Sequence, residues 1–65
     1  MKVKYFEETD TLYFTFRDNP PVETRDLDEN TLIDLDEKGR LCSITIEHAR
    51  ERVGDPEVKF ERIPA

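Results

Sequence analysis

The chain has 65 residues, a formal net charge of −6 from sixteen acidic and ten basic residues, and a single cysteine. This length supports one domain, residues 1–65 without a linker, because two halves would each be too small to exclude water from a core. One cysteine excludes an intrachain disulfide, and the acidic surface disfavours nucleic acid and anionic membranes as partners because both carry negative charge.

The first predicted elements are two strands of a hairpin within KVKYFEETDTLYFTF, residues 2–16. Apolar residues alternate with polar ones on both sides of the polar stretch 7–10, and a period of two is typical of half-buried strands. The predicted cross-strand pairs are Val3 with Phe14, Tyr5 with Leu12, and Phe6 with Thr11. This register turns Phe6 and Tyr13 to the opposite side, which is then either covered by another element or used as an interaction surface.

Two breaks frame a polar third strand. The stretch DNPP, residues 18–21, ends the second strand because proline has no amide hydrogen to donate. Residues 22–27, VETRDL, follow as a strand that is polar enough for a position at the edge of the sheet. The aspartate and asparagine of DENT, residues 28–31, then predict a turn.

The stretch IDLDEKGRLCSITIEH, residues 33–48, allows two interpretations. Asp34, Asp36 and Gly39 stand at the first, third and sixth positions of a calcium loop of the EF-hand type. Lys38 and Thr45 occupy the fifth and twelfth positions, where that loop needs an oxygen ligand and a bidentate glutamate. The alternation on both sides of the loop is also that of strands, whereas an EF-hand requires flanking helices.

A hairpin is the favoured interpretation of this stretch. The predicted pairs are Leu35 with Cys42 and Ile33 with Ile44, joined by a four-residue loop at 37–40. Gly39 supplies the positive φ at the end of that loop. The same register predicts that Asp34 and Asp36 project together from the exposed side of the sheet, which leaves a low-affinity surface cation site as the remaining metal alternative.

Beyond residue 46 the apolar pattern changes to the period of a helix. A two-turn helix is predicted over residues 47–53, with Glu47 in the first turn and Gly54 as the C-terminal cap. In residues 57–63, Val58 and Phe60 alternate with charged residues, which leaves open a last short strand or an extension onto a partner chain. The predicted fold is α+β and mostly β: an antiparallel sheet of two hairpins plus an edge strand, and one short C-terminal helix.

The sequence predicts no catalytic residue, metal or cofactor. His48 is the only histidine, and acid–base catalysis with Glu47 or Glu51 is the alternative that it allows. A histidine without a nucleophile or metal companion performs little chemistry, and Cys42 fits the apolar alternation as a small core side chain. One cysteine and one histidine cannot supply the four ligands of a structural zinc site.

Self-association is the expected stabiliser. In a chain of this length the free energy gained by burial nearly cancels the entropy lost on ordering, and no disulfide or metal is available. A homodimer or higher homo-oligomer is therefore predicted. Residues 26–37 contain six acidic residues and no Lys or Arg, which suits a small basic protein as a further partner. The residues expected to carry interactions are Phe6, Tyr13, Asp34, Asp36, Arg40 and His48.

The order of residues resembles the small bacterial and archaeal family called domain of unknown function 2283. The residues that carry the resemblance, over about residues 3–50, are Tyr5, Asp10, Leu12, Tyr13, Thr24, Asp34, Asp36, Gly39, Arg40, Ile44, Ile46 and Ala49. Two positions depart from the family pattern: Ser43 replaces a usual glycine and Thr45 a usual glutamate. The resemblance implies a compact β-rich fold with a short helix and implies no activity.

Three functions follow as hypotheses. The first is a small, acidic, non-catalytic protein-interaction module that associates with itself. The second is an antitoxin-like neutraliser of a basic toxin, by analogy with small proteins that accompany such partners. The third is a hydrolase that uses His48. The start MKVKYFEE lacks the apolar run of a secretory signal and no stretch could span a bilayer, so a cytoplasmic location is expected.

Overall fold

Five strands and one short helix form the fold in the computed structural model, which describes residues 1–64. The elements are β1 Lys2–Phe6, β2 Thr11–Thr15, β3 Glu23–Asp28, β4 Thr31–Leu35, β5 Leu41–Ile46 and α1 Ala49–Val53. The strands make one sheet in the order β1-β2-β5-β4-β3, with every neighbouring pair antiparallel. The predicted class, two hairpins with an edge strand and a short helix, is confirmed.

Short turns connect consecutive strands of the chain, except between β2 and β3. β3, β4 and β5 are joined in succession by tight turns, and β1 and β2 form a separate hairpin. The hairpin joins the sheet through β2 and β5, where Phe14 lies opposite Ile44 and Leu12 opposite Ile46. The connection from β2 therefore crosses to the far edge before β3 begins, and β3 occupies the edge that its polar sequence predicted.

The predicted register is correct in the first hairpin and partly wrong in the last. Val3–Phe14, Tyr5–Leu12 and Phe6–Thr11 are all observed pairs. Ile33 pairs with Ile44 as predicted, but Leu35 pairs with Leu41 instead of Cys42, because a β-bulge shifts the register between Asp34 and Leu35. The carbonyl of Cys42 instead accepts the amide of Phe16 at 2.8 Å, which ties the end of β2 to β5. A bulge of this kind depends on contacts outside the two strands, which period-two alternation does not report.

The two sides of the sheet differ in polarity. Residues that pair directly across strands share a side, and one side, here called the apolar side, carries Val3, Tyr5, Leu12, Phe14, Ile33, Ile44 and Ile46. The opposite, polar side carries Lys4, Tyr13, Thr15, Thr24, Asp34, Ser43 and Thr45. Among the apolar residues of the described stretch 1–64, only Leu12, Leu35, Cys42 and Ala49 are buried. The sheet is thus a single layer whose apolar side is incompletely covered.

The helix is shorter than predicted and begins two residues later. The Glu47 amide donates to the carbonyl of Asn30 at 2.7 Å, and His48 adopts a left-handed conformation with φ of 53° and ψ of 48°, so α1 starts at Ala49. The expectation that Glu47 lies in the first turn is therefore wrong. Gly54 ends the helix as predicted, with φ of 80° and its amide bonded to the Arg50 carbonyl at 3.1 Å.

Residues 55–64 follow the helix without forming a strand, so the last strand left open by the sequence is not present in this segment. Among residues 1–64, no helix has the length and apolar character needed to cross a bilayer.

Candidate functional site

The loop between β4 and β5 is organised around the carboxylate of Asp36. Its Oδ1 accepts the amides of Lys38 and Arg40, both at 2.9 Å, and its Oδ2 accepts Arg40 Nε at 2.8 Å and Asn19 Nδ2 at 3.5 Å. The Arg40 amide contributes most to lowering the pKa of Asp36 to about 2, against the opposing effect of desolvation, and the Arg40 guanidinium and Lys38 amide add to it. Gly39 completes the turn with φ of 76°.

Asp36 does not project from the exposed side of the sheet as predicted. It is 4% exposed, because it lies in the loop beyond the bulge, where the amides of Lys38 and Arg40 and the side chains of Arg40 and Asn19 surround it. The hairpin interpretation is confirmed, since strands flank the loop on both sides. A carboxylate whose two oxygens accept protein donors stabilises a turn and is poorly placed to share a cation with Asp34.

Asp34 lies in a hydrogen-bonded row across three strands on the polar side. Thr24 Oγ1 donates to Oδ1 at 2.5 Å, and Ser43 Oγ donates to Oδ2 at 2.7 Å. The three residues are direct cross-strand partners in β3, β4 and β5, and Ser43 is 3% exposed. From the sequence, Ser43 stood out only as a departure from a family pattern; the shared alternation of these three polar residues was the signal that could have revealed the row.

A third polar cluster joins the β1–β2 loop to the helix. The phenol of Tyr5 donates to Asp10 Oδ1 at 2.7 Å, Arg50 Nε donates to the Tyr5 oxygen at 3.2 Å, and the Arg50 amide lies 3.2 Å from both Asp10 oxygens. The Asp10 carbonyl accepts the amide of Ala49 at 2.9 Å, and Ala49 is fully buried. The hydrogen bond to Asp10, together with desolvation, raises the pKa of Tyr5. A phenol held in its neutral form braces the helix and is a poor base or nucleophile.

Two residues near this cluster adopt positive φ although neither is glycine. Asp10 has φ of 54° and His48 has φ of 53°. The Asp10 carbonyl accepts the amide of Ala49, the residue after His48, so both residues lie where the β1–β2 loop meets the start of the helix. The His48 side chain is exposed and makes no capping hydrogen bond. Its ring therefore has no partner in residues 1–64 that would orient it for acid–base chemistry.

The predicted interaction residues do not form one site. Asp36 and Arg40 come together in the loop, whereas His48 lies beyond the opposite end of β5. Phe6 and Tyr13 share the polar side as predicted, and Phe6 is half exposed. The helix and the segment after it contact residues of the other side, so they do not cover Phe6.

A groove of about 590 Å³ opens on the apolar side beside β1 and β2. Its apolar lining includes Val3 and Phe14 from the sheet and Val58 and Phe60 from the segment after the helix, and the polar side chains that line it are the cations Lys59 and Arg62. This groove was not predicted from the sequence. The alternation of Val58 and Phe60 indicated that one side of the segment after the helix is apolar, but where that segment lies depends on its contacts with β1 and β2.

One family model matches the chain: it is described as protein of unknown function (DUF2283) and covers residues 2–50. The match spans all five strands and the start of the helix, as the resemblance predicted. No curated protein and no solved structure matches the chain.

Proposed function

The chain belongs to the family described as protein of unknown function (DUF2283), and we propose that this member is a small, acidic, non-catalytic interaction module that associates with itself. One observation carries the proposal: the sheet is a single layer that exposes more surface than a compact monomer of its mass. We further propose a cytoplasmic setting, since the single thiol, Cys42, is free and buried.

The polar clusters support a non-catalytic role. Asp36, Asp34 and Asp10 each accept hydrogen bonds from side chains or amides of the same chain, so their oxygens hold loops and strands together. A hydrolase using His48 is not favoured, because the structure gives its ring neither a nucleophile nor an orienting partner within residues 1–64. The apolar side of the sheet and the groove on it suit binding rather than proton transfer.

The exposed area supports self-association. The protein exposes 5368 Å², whereas the scaling of surface with mass gives about 4,300 Å² for a compact monomer of 7.7 kDa. The excess of about 1,000 Å² exceeds the roughly 800 Å² that each partner buries in a standard interface. The radius of gyration agrees, at 12.8 Å against about 10.7 Å for a compact chain of 65 residues.

The apolar side of the sheet is the surface that a second copy would cover. Phe14, Ile33 and Ile44 lie in its centre and are only half-buried, and no side chain in the part of the chain described here is both large and fully buried. A β-sheet reaches stability by packing its apolar side against another layer, and the short helix covers one end only. A second copy that contacts this side buries part of its exposed apolar area.

Sedimentation velocity over a wide dilution series, with circular dichroism on the same samples, tests this proposal. We expect a dimer or larger species at the high end of the series and its dissociation at the low end, because dilution shifts an association equilibrium toward the separated copies. A fully folded monomer at every concentration would overturn the proposal.

A basic protein partner is the second candidate, and the exposed edge strand favours it. β3 and the turn after it present Glu23, Asp26, Asp28 and Glu29 along one edge of the sheet. Acidic side chains on an open edge attract a basic partner and accelerate its encounter. The test is whether a small basic protein encoded beside this gene binds at low salt and is released at high salt; binding that is indifferent to salt, or absent, would remove this candidate.

A further inference from the structure

We propose that copies of this protein associate head to tail, with the acidic edge around Leu27 of one copy seated in the basic-rimmed groove of the next. This inference rests on the self-association proposed above and specifies which surfaces meet. It identifies the occupant of the groove as a second copy of the same chain, through a segment that is apolar at its centre and acidic at its margins.

The groove has the chemistry of a site for an acidic, apolar segment. Val3 and Phe14 form its floor in the sheet, and Phe60, which is 73% exposed, stands at its wall. The two charged residues that line it, Lys59 and Arg62, are both cations, in a protein whose net charge is −6. Neither cation takes part in an ion pair with another residue of the stretch 1–64.

The edge strand carries the matching features. Leu27 stands at the β-bulge between Asp26 and Asp28 and is 62% exposed. Asp28 is already bonded to Arg52 at 2.6 Å, whereas Asp26 and Glu29 form no ion pair within the described residues. The edge thus presents one apolar side chain with two available carboxylates beside it, and the groove presents an apolar floor with two available cations.

The topology makes this contact intermolecular. The groove lies at β1 and β2, whereas β3 is the opposite edge strand of the five-stranded sheet. The two edges are about 19 Å apart at the usual spacing of strands, so no copy can place its own Leu27 in its own groove. A contact between unlike surfaces continues from copy to copy and ends only if the rotation closes a ring.

Charge favours this pairing over symmetric ones. Two acidic edges repel each other, as do two grooves with cationic rims, and a contact of groove with edge removes both repulsions. The buried leucine supplies the attraction, while the charges set the orientation. High salt is therefore expected to weaken the association by screening the charged rim.

The experiment uses two full-length variants that remove opposite halves of the contact. Leu27→Asp damages the edge and keeps the groove; Lys59→Glu with Arg62→Glu reverses the groove and keeps the edge. All three positions are exposed, so circular dichroism is expected to match that of the unmodified protein. Each variant alone should associate at least about tenfold more weakly than the unmodified protein in sedimentation velocity.

Mixing the two variants is the decisive measurement. The intact groove of the first accepts the intact edge of the second, so a one-to-one heterodimer should form and growth should stop there. Ile63→Asp is the matched control, because Ile63 is 78% exposed but does not line the groove, and this variant should associate as the unmodified protein does.

Two outcomes overturn the inference, and they differ. If each variant alone associates as strongly as the unmodified protein, the copies meet elsewhere and self-association itself stands. If the unmodified protein is a folded monomer at every concentration, the proposed function fails together with the inference. Should the Leu27→Asp variant unfold, Asp26→Asn with Glu29→Gln replaces it as the edge variant, with the same expected heterodimer.

Discussion

The loop at residues 36–40 and the segment at residues 55–64 are both rich in charge, yet the chain holds them in different ways. Four hydrogen bonds converge on the Asp36 carboxylate, two of them from amides of the loop itself. Within the described chain, no hydrogen bond joins residues 58–64 to the sheet. Just before them, the Glu57 amide donates to the Asp55 carbonyl at 2.8 Å, which is a contact within the segment itself. Charge content alone therefore does not distinguish a structural segment from one whose exposed apolar residues are available to a partner.

Replacing Asp36 is expected to have the largest effect. Asp36→Ala removes all four hydrogen bonds and leaves the Lys38 and Arg40 amides without their acceptor, so the melting temperature should fall by about 10 °C or more. Thermal denaturation followed by circular dichroism measures the change. Asp34→Ala is the control. It removes the carboxylate that accepts hydrogen bonds from the Thr24 and Ser43 hydroxyls, and it should lower the melting temperature less. Equal losses in the two variants would show that the loop is not held more strongly than its surroundings.

Acidification should weaken the same loop, with a smaller effect. The pKa of Asp36 lies at about 2 in the folded protein, below the ordinary value of 3.8, so folding favours the ionised carboxylate. Its contribution to stability is present above pH about 4 and is lost as the pH falls through about 2. Urea denaturation between pH 5 and pH 2 should therefore show a decline that is shallower in the Asp36→Asn variant. Identical pH profiles in the two proteins would contradict this role for the carboxylate.

A substitution in residues 55–64 should have the smallest effect on stability and a visible effect on association. Phe60→Ser changes a side chain that is 73% exposed, so the free energy of unfolding of the separated copies should change by no more than about 0.5 kcal/mol. The same variant should shift the sedimentation boundary toward the monomer, because Phe60 forms a wall of the groove. A large loss of stability without a change in association would mean that this segment belongs to the core after all.

Local alternation was sufficient to predict the strands and most of the register. All three predicted pairs of the first hairpin are observed, as is the Ile33–Ile44 pair, because a period of two follows from backbone geometry alone. The predicted pair of Leu35 with Cys42 was wrong because a bulge shifts the register after Asp34, next to Asp36, whose carboxylate is bonded in part by Asn19, seventeen positions before it. The late start of the helix has a similar cause, since the Asn30 carbonyl accepts the amide of Glu47 and the Asp10 carbonyl accepts the amide of Ala49.

The candidate sites were predicted less well than the fold. Asp36 and Arg40 were predicted as interaction residues, and they bond each other inside a loop; their role in binding stays a prediction. The groove beside β1 and β2 was missed, since it forms only where residues 58–62 come to lie over Val3 and Phe14. Phe6 and Tyr13 share a side as predicted, and their role in binding stays a prediction.

Spacing, polarity, proline and glycine were enough to predict which strand residues share a side of the sheet, where the turns fall and that β3 takes an edge, because each acts within a few residues. Tertiary contacts alone set which carboxylates are enclosed and which apolar residues stay exposed. Those outcomes depend on partners far apart in the chain, such as Tyr5 and Arg50, forty-five positions apart, whose approach depends on how the strands are ordered in the sheet.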